Sequence, residues 1–115
     1  YKHYAPKAKV VIVEGEIQKV AEKINELVKE CESRDIKVGI LATDETKHFY
    51  PENLTVSLGS RLNPETIAAN LFNAFRDYDK TDVQTIFAEA VDSSGIGLAI
   101  MNRMNKAAGY NIIKV

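Results

Sequence analysis

Few residues in this chain have the type and spacing for chemistry. The stretch Ser93-Ser94-Gly95-Ile96-Gly97 lies between a strand-like run and a helix-like one. Glycines at such a junction let main-chain N–H groups approach an anion at the helix start. Gly95 and Gly97 are therefore candidate anion contacts. A dinucleotide fingerprint needs G-x-G-x-x-G, normally after the first strand; here the glycines follow the fourth strand-like run and the third position is Ile100. A tight loop packed against a neighbouring segment has the same composition. Asn102-Arg103 follow between Met101 and Met104. Arg103 can fix an anion or a neighbouring domain, or lay its stem over apolar surface.

The opening segment is the second place to look. Tyr1, His3 and Tyr4 are interleaved with Lys2, and Pro6 biases Ala5 toward an extended backbone. An extended arm of this kind can cross a nucleotide site, its Tyr and His hydrogen-bonding and its Lys meeting phosphate. A frayed tail has the same composition. The run opens without an initiator Met, as expected of a piece of a longer chain or of a trimmed one.

Other chemistries find no support in the residues. There is no P-loop, no zinc-type Cys/His spacing, no HExxH and no G-x-S-x-G. His3 and His48 are far apart and Cys31 is the one cysteine. We therefore expect no metal site and no intrachain disulfide within these residues. Cys31 falls on the apolar repeat of a helix and is expected in the core.

The elements that must position these groups are legible from periodicity. Lys9–Glu14 is a short β-branched run, expected as a buried strand. Ile17, Val20, Ala21, Ile24, Leu27, Val28 and Cys31 recur at spacings of three and four, predicting a helix over Glu16–Arg34. Strands are expected at Ile36–Ala42, Leu54–Leu58, Val83–Ala88 and Asn111–Val115. A second helix should run from a cap at Asn63, with Pro64 in its first turn, to Tyr78. Its inner face should carry Ile67, Ala68, Leu71, Phe72, Phe75 and Tyr78. A third helix is expected over Leu98–Ala108, ended by Gly109.

Alternating strands and helices predict a Rossmann-like three-layer α/β sandwich with a mostly parallel sheet of about five strands. One connection is short for a parallel crossover: Thr43 to Asn53 joins the second and third strands. Either a single helical turn near Asp44–His48 bridges them or that pair is antiparallel; we favour the crossover. Ligands in open sheets of this kind collect at the carboxyl ends of strands. Those ends should present Glu14-Gly15, Thr43-Asp44, Gly59-Ser60-Arg61 and the loop from Glu89 to Gly97.

Composition narrows the partners. The chain has 115 residues, 45% hydrophobic and 27% charged, with 15 basic and 16 acidic side chains. That is one globular domain, and a net charge of −1 provides no field for direct binding of tRNA or a membrane surface. With no apolar run of ~18 residues and no secretory h-region, a cytoplasmic location is expected.

Three stretches together resemble one family, the two-domain threonylcarbamoyl-AMP synthases. Tyr1–Val10, YKHYAPKAKV, is similar to the end of that family's interdomain linker, K-Y-[RK]-H-Y-A-P, starting at its second letter. Gly95–Ala108, GIGLAIMNRMNKAA, resembles G-[LI]-G-x-A-I-x-N-R-x-x-K-A-A. Ala69–Asp79, ANLFNAFRDYD, resembles L-[FY]-x-x-[LF]-R-x-x-D. The resemblance implies residues 1–8 as the end of the linker and 9–115 as a Rossmann-like carboxy-terminal domain. It implies an enzyme making threonylcarbamoyl-AMP and pyrophosphate from L-threonine, bicarbonate and ATP, for modification of tRNA. ATP and Mg would be held by an amino-terminal YrdC-type catalytic domain, so no cofactor is expected on this fragment, which alone would be inactive. Tyr1, Lys2, His3, Tyr4, Ala5 and Pro6 would be linker residues lying over that domain's cleft as a lid. Asn102 and Arg103 match the helix motif. An independent nucleotide or small-molecule sensor, resting on the Gly95–Gly97 turn, is the alternative.

Overall fold

The structure is a computed structural model that describes residues 5–92 and 94–115. Tyr1, Lys2, His3 and Tyr4, expected as lid residues, lie outside the described residues. Five strands, β1 (Lys9–Glu14), β2 (Val38–Ala42), β3 (Thr55–Ser57), β4 (Thr85–Glu89) and β5 (Ile112–Lys114), form one sheet in the order β3-β2-β4-β1-β5. Every pairing is parallel. Three helices cover it: α1 (Ile17–Ser33), α2 (Pro64–Asp79) and α3 (Ile96–Ala107).

The three central strands β1, β2 and β4 are buried on both faces, as strands inside parallel sheets are, while the edge strands β3 and β5 are half-buried to exposed. Val10, Ile12, Leu41, Ile86 and Ala88 face one core with Leu71, Phe75, Ile100 and Met104 of α2 and α3. Val11, Val13, Ile40 and Phe87 face the other with Val20, Ile24 and Val28 of α1. The β1–β2 and β2–β3 connections step one way across the sheet; β3–β4 and β4–β5 step the other way and are covered on the opposite face. One crossover hand requires that arrangement.

The short β2–β3 connection is a parallel crossover. It uses two 3-10 turns, Lys47–Phe49 and Glu52–Leu54, where one helical turn was expected. A 3-10 turn advances about 2.0 Å per residue against about 1.5 Å in an α-helix, so fewer residues span the gap. Phe49 and Leu54 pack on the α1-side core, and Asn25 of α1 donates to the Phe49 carbonyl at 3.0 Å.

Helix ends follow main-chain chemistry. After α1, Asp35 takes φ +57°, and the N–H groups of Ile36 and Asp35 return to the carbonyls of Cys31 and Glu32. The same double closure ends α3 at Gly109, φ +60°, with Tyr110 and Gly109 bonded to Asn105 and Lys106. Asn63 precedes α2 without the expected side-chain cap; the Thr66 N–H bonds to the Asn63 carbonyl instead. Phe72, expected on the inner face of α2, is 43% exposed and lies under the Arg76 guanidinium, 5.5 Å from its ring centre. Cys31 is half-buried at the margin of the α1-side core, where desolvation raises its thiol pKa. Gly39 in β2 is required by close approach: a Cβ there would meet the Tyr78 ring at 2.5 Å. Burial pushes the Tyr78 hydroxyl up to about 12.

Candidate functional site

Chain direction puts two regions at opposite edges of the sheet. At the carboxyl edge, β2 continues toward the α1 face and its neighbour β4 toward the α3 face. A crevice at such a switch point is where open α/β sheets bind ligands. Glu89, the last residue of β4, is 3% exposed there. A carboxylate so deeply buried must be fully paired, and it is. Its Oε1 accepts from the Thr46 hydroxyl at 2.5 Å and from Nη2 of Arg61 at 3.0 Å. Its Oε2 accepts from the Tyr50 hydroxyl at 2.5 Å. Nε of Arg61 also donates to Oγ1 of Thr43, which meets Oγ1 of Thr46 at 3.0 Å. Tyr50 sits well above the ordinary tyrosine pKa, chiefly through burial and then through its bond to Glu89. It is a neutral donor at physiological pH.

This network clamps four segments together: the end of β2, the 3-10 crossover, the β3–α2 loop and the end of β4. The β3–α2 loop is held again by Glu45, whose carboxylate takes the Ser60 hydroxyl at 2.5 Å and the Arg61 N–H at 2.8 Å. Those contacts hold Glu45 below its ordinary value, the Ser60 bond contributing most. With both Glu89 oxygens occupied, the clamp has no free base and supports architecture rather than proton transfer.

Beside the clamp lies a cleft of about 210 Å³ lined by Arg61, Pro64, Ile67, Asp92, Ser94 and Gly97, among others. Of the candidate glycines, Gly97 lines it and Gly95 does not. Gly95 precedes α3 with φ +56° and open space around it, and Gly97 lies against the chain at Asp92, where a Cβ would fall 1.7 Å from the carbonyl oxygen. The Gly97 and Leu98 N–H groups bond to the carbonyls of Ser94 and Gly95. Asp92 Oδ1 takes the Ser94 N–H and Oδ2 the Ser94 hydroxyl. Asn102 and Arg103 are exposed on α3 and do not line this cleft. The structure therefore groups Gly95 with Gly97 and leaves Asn102 and Arg103 apart from them.

The segment leading into β1, expected as the end of a linker, enters at the other edge. Ala5 is exposed, Pro6 half-buried and Ala8 buried, and β1 begins at Lys9. The Lys7 N–H donates to Oδ1 of Asp79, the last residue of α2, at 2.9 Å. Lys9 then bonds through its N–H to the Gln84 carbonyl at 3.0 Å. The carboxyl strand ends expected from sequence, with Thr43, Arg61 and Glu89, meet in the clamp, but their pairing was not singled out. Nor was the contact of Asp79 with Lys7, although Asp79 closes the stretch Ala69–Asp79 that carries part of the resemblance. Among the described residues no group of three or more His, Cys, Asp or Glu side chains could hold a metal, and no helix is long and apolar enough to cross a membrane.

The fold and its two edges define a class: an α/β domain with a clamped strand-end crevice and a first segment tied down at the opposite side. Residues 1–109 match the family model described as threonylcarbamoyl-AMP synthase, C-terminal domain, and the chain belongs to that family. It is 46% identical over 118 residues to the threonylcarbamoyl-AMP synthase of Pyrococcus abyssi, covering 100% of this chain and 32% of that protein. The crystal structure of P. abyssi Sua5 complexed with L-threonine superposes with a TM-score of 0.86 at 45% identity, over all of this chain and 32% of that one. The C-terminal Sua5 domain of Pyrococcus horikoshii superposes at 0.74 with 42% identity, over 96% of this chain and 100% of that one. The chain thus spans about a third of the length of the synthases it matches. Membership of this family does not favour an independent sensing domain.

Proposed function

We propose that this domain is the accessory carboxy-terminal unit of an enzyme joining L-threonine, bicarbonate and ATP into threonylcarbamoyl-AMP. In that reaction the threonine amine bonds to the carbon of bicarbonate, which gives up an oxygen as water, and a carbamate results. The carbamate oxygen attacks the α-phosphorus of ATP and pyrophosphate leaves. Chemistry, ATP and Mg belong to the amino-terminal YrdC-type domain. This chain supplies the end of the linker, and Tyr1, Lys2, His3, Tyr4, Ala5 and Pro6 close over the cleft. A lid excludes water, and a mixed anhydride hydrolyses if water reaches it. The product serves tRNA modification in the cytoplasm; this domain itself does not contact tRNA.

The observation that supports this reading is the match of the whole chain, linker included, to synthases about three times its length. The rooted linker adds a physical argument, because an arm fixed at Lys7 starts from a defined point. Replacing Tyr1, His3 and Tyr4 together with Ala in the full-length protein should lower the rate of pyrophosphate release at least tenfold. An unchanged rate would overturn the lid.

A further inference from the structure

We propose that the cleft beside the Glu89 clamp binds a free α-amino acid with a short aliphatic side chain. The site lies wholly within this domain, so it depends neither on a catalytic domain nor on a lid. The cleft holds about 210 Å³, less than the roughly 300–1,000 Å³ of pockets for drug-sized ligands. It therefore admits a molecule of a few heavy atoms and excludes a nucleotide. Two of its lining residues, Arg61 and Asp92, are charged. They lie a small molecule apart. The Arg61 guanidinium reaches the Ala90 carbonyl at 3.4 Å, and Asp92 is two residues further on, at most about 7 Å of extended chain. Among the described residues Arg61 is ion-paired with Glu89 and not with Asp92. A guanidinium has five N–H donors. Three go to Thr43, Glu89 and Ala90, which leaves two for a carboxylate in the cleft. Asp92 is exposed, and its oxygens take the Ser94 N–H and hydroxyl. Each oxygen keeps a lone pair for an ammonium group.

Charge and polarity select the ligand. Glu89 cancels Arg61, so Asp92 leaves the site with one net negative charge. A phosphate dianion is repelled there, and a bare amine leaves the Arg61 donors unpaired. A zwitterion satisfies both ends. The remaining wall is apolar, made by Pro64, Ile67, Val91 and Ile100, and suits a hydrocarbon side chain. The cation is set before any ligand arrives, because buried Glu89 and Thr43 hold it from behind. A group already in place loses less freedom on binding. The position also agrees with the fold, since the cleft lies at the switch point between β2 and β4.

The test is an NMR titration of this 115-residue chain with four probes: L-valine, isovalerate, isobutylamine and inorganic phosphate. Isovalerate is valine without its ammonium group, and isobutylamine is valine without its carboxylate. L-Valine should shift the amide signals of Asp92, Ser94, Gly97 and Ile100 and the Nε–H signal of Arg61. The shifts should saturate with a Kd of about 1 mM, the range open to a ligand of so few atoms. Isovalerate and isobutylamine should each bind about tenfold more weakly, the effect of one lost charge-assisted contact. These truncated ligands test each charge without altering the fold. Asp92→Asn removes the charge and keeps an oxygen for the Ser94 N–H. It should weaken L-valine about tenfold and leave the melting midpoint within about 2 °C. The absence of localised shifts with L-valine up to about 20 mM would overturn the site. So would isovalerate or isobutylamine binding as well as L-valine, phosphate binding more tightly than L-valine, or Asp92→Asn binding L-valine unchanged.

Discussion

Removing Arg61 should expose how much of the domain depends on the Glu89 clamp. In Arg61→Met the apolar stem is kept while Glu89 loses its cation and Thr43 loses a donor. The Glu89 side chain is 2% exposed, so the charge left behind cannot be reached by bulk water. Breaking a buried pair from one side costs about 3–5 kcal/mol. The Arg61 side chain is 24% exposed, and the Thr46 and Tyr50 donors remain. Both reduce the penalty, and we expect about 2–4 kcal/mol. At about 4 °C per kcal/mol for a domain of this size, the melting midpoint falls by about 8–16 °C. Circular dichroism with heat and with urea measures both quantities. If the cost comes from an unpaired buried charge, Glu89→Gln on top of Arg61→Met should recover about half of it, because the amide is neutral: its oxygen accepts from one of the Thr46 and Tyr50 hydroxyls and its NH2 donates to the oxygen of the other. A loss under about 1 kcal/mol in the single variant, or a double variant no more stable than the single, would refute the reasoning.

Two further outcomes follow from the same edge of the sheet. Glu45 titrates below its ordinary value in the folded state, so it contributes stability above the unfolded carboxylate pKa of about 4.3. That contribution is lost as pH falls through the lower folded value. The denaturation midpoint of Glu45→Gln should therefore fall less steeply than wild type below about pH 4.5; parallel curves would contradict the Ser60 and Arg61 contacts. Gly97→Ala should destabilise by about 1–3 kcal/mol, since its Cβ would strike the Asp92 carbonyl at 1.7 Å. Gly95→Ala meets open space but must hold φ +56°, ψ −128°, outside the left-handed helical basin, and should lose about 1–3 kcal/mol from backbone strain alone. A loss under about 0.5 kcal/mol in either variant on chemical denaturation would show that α3 starts differently.

Much of this fold was legible because local signals agreed. The spacing of Ile17, Val20, Ile24 and Val28 predicts α1 to within a residue at each end, and the β-branched run Lys9–Glu14 is β1 with the same bounds. Expected strands were longer than observed where side chains or turns take over the pairing. The Lys37 N–H goes to the Gln84 side chain rather than to a strand, and Glu52–Leu54 turns before β3 begins. Phe72 was misplaced because an apolar stripe on a helix has edges, and periodicity does not say which edge residue meets the core and which meets a cation such as Arg76. The Glu89–Arg61 pair joins residues 28 positions apart on different elements. Only the sheet order β3-β2-β4 brings them together, and no local pattern encodes that order. The Lys7–Asp79 contact likewise spans 72 positions, beyond the reach of spacing.

The central claim is that this domain completes an active site it does not contain. Pyrophosphate release from ATP with L-threonine and bicarbonate should be measured for this fragment, for the amino-terminal domain, and for the two joined in one chain. The account predicts activity only when they are joined. Full activity of the amino-terminal domain alone, unchanged by joining, would contradict it.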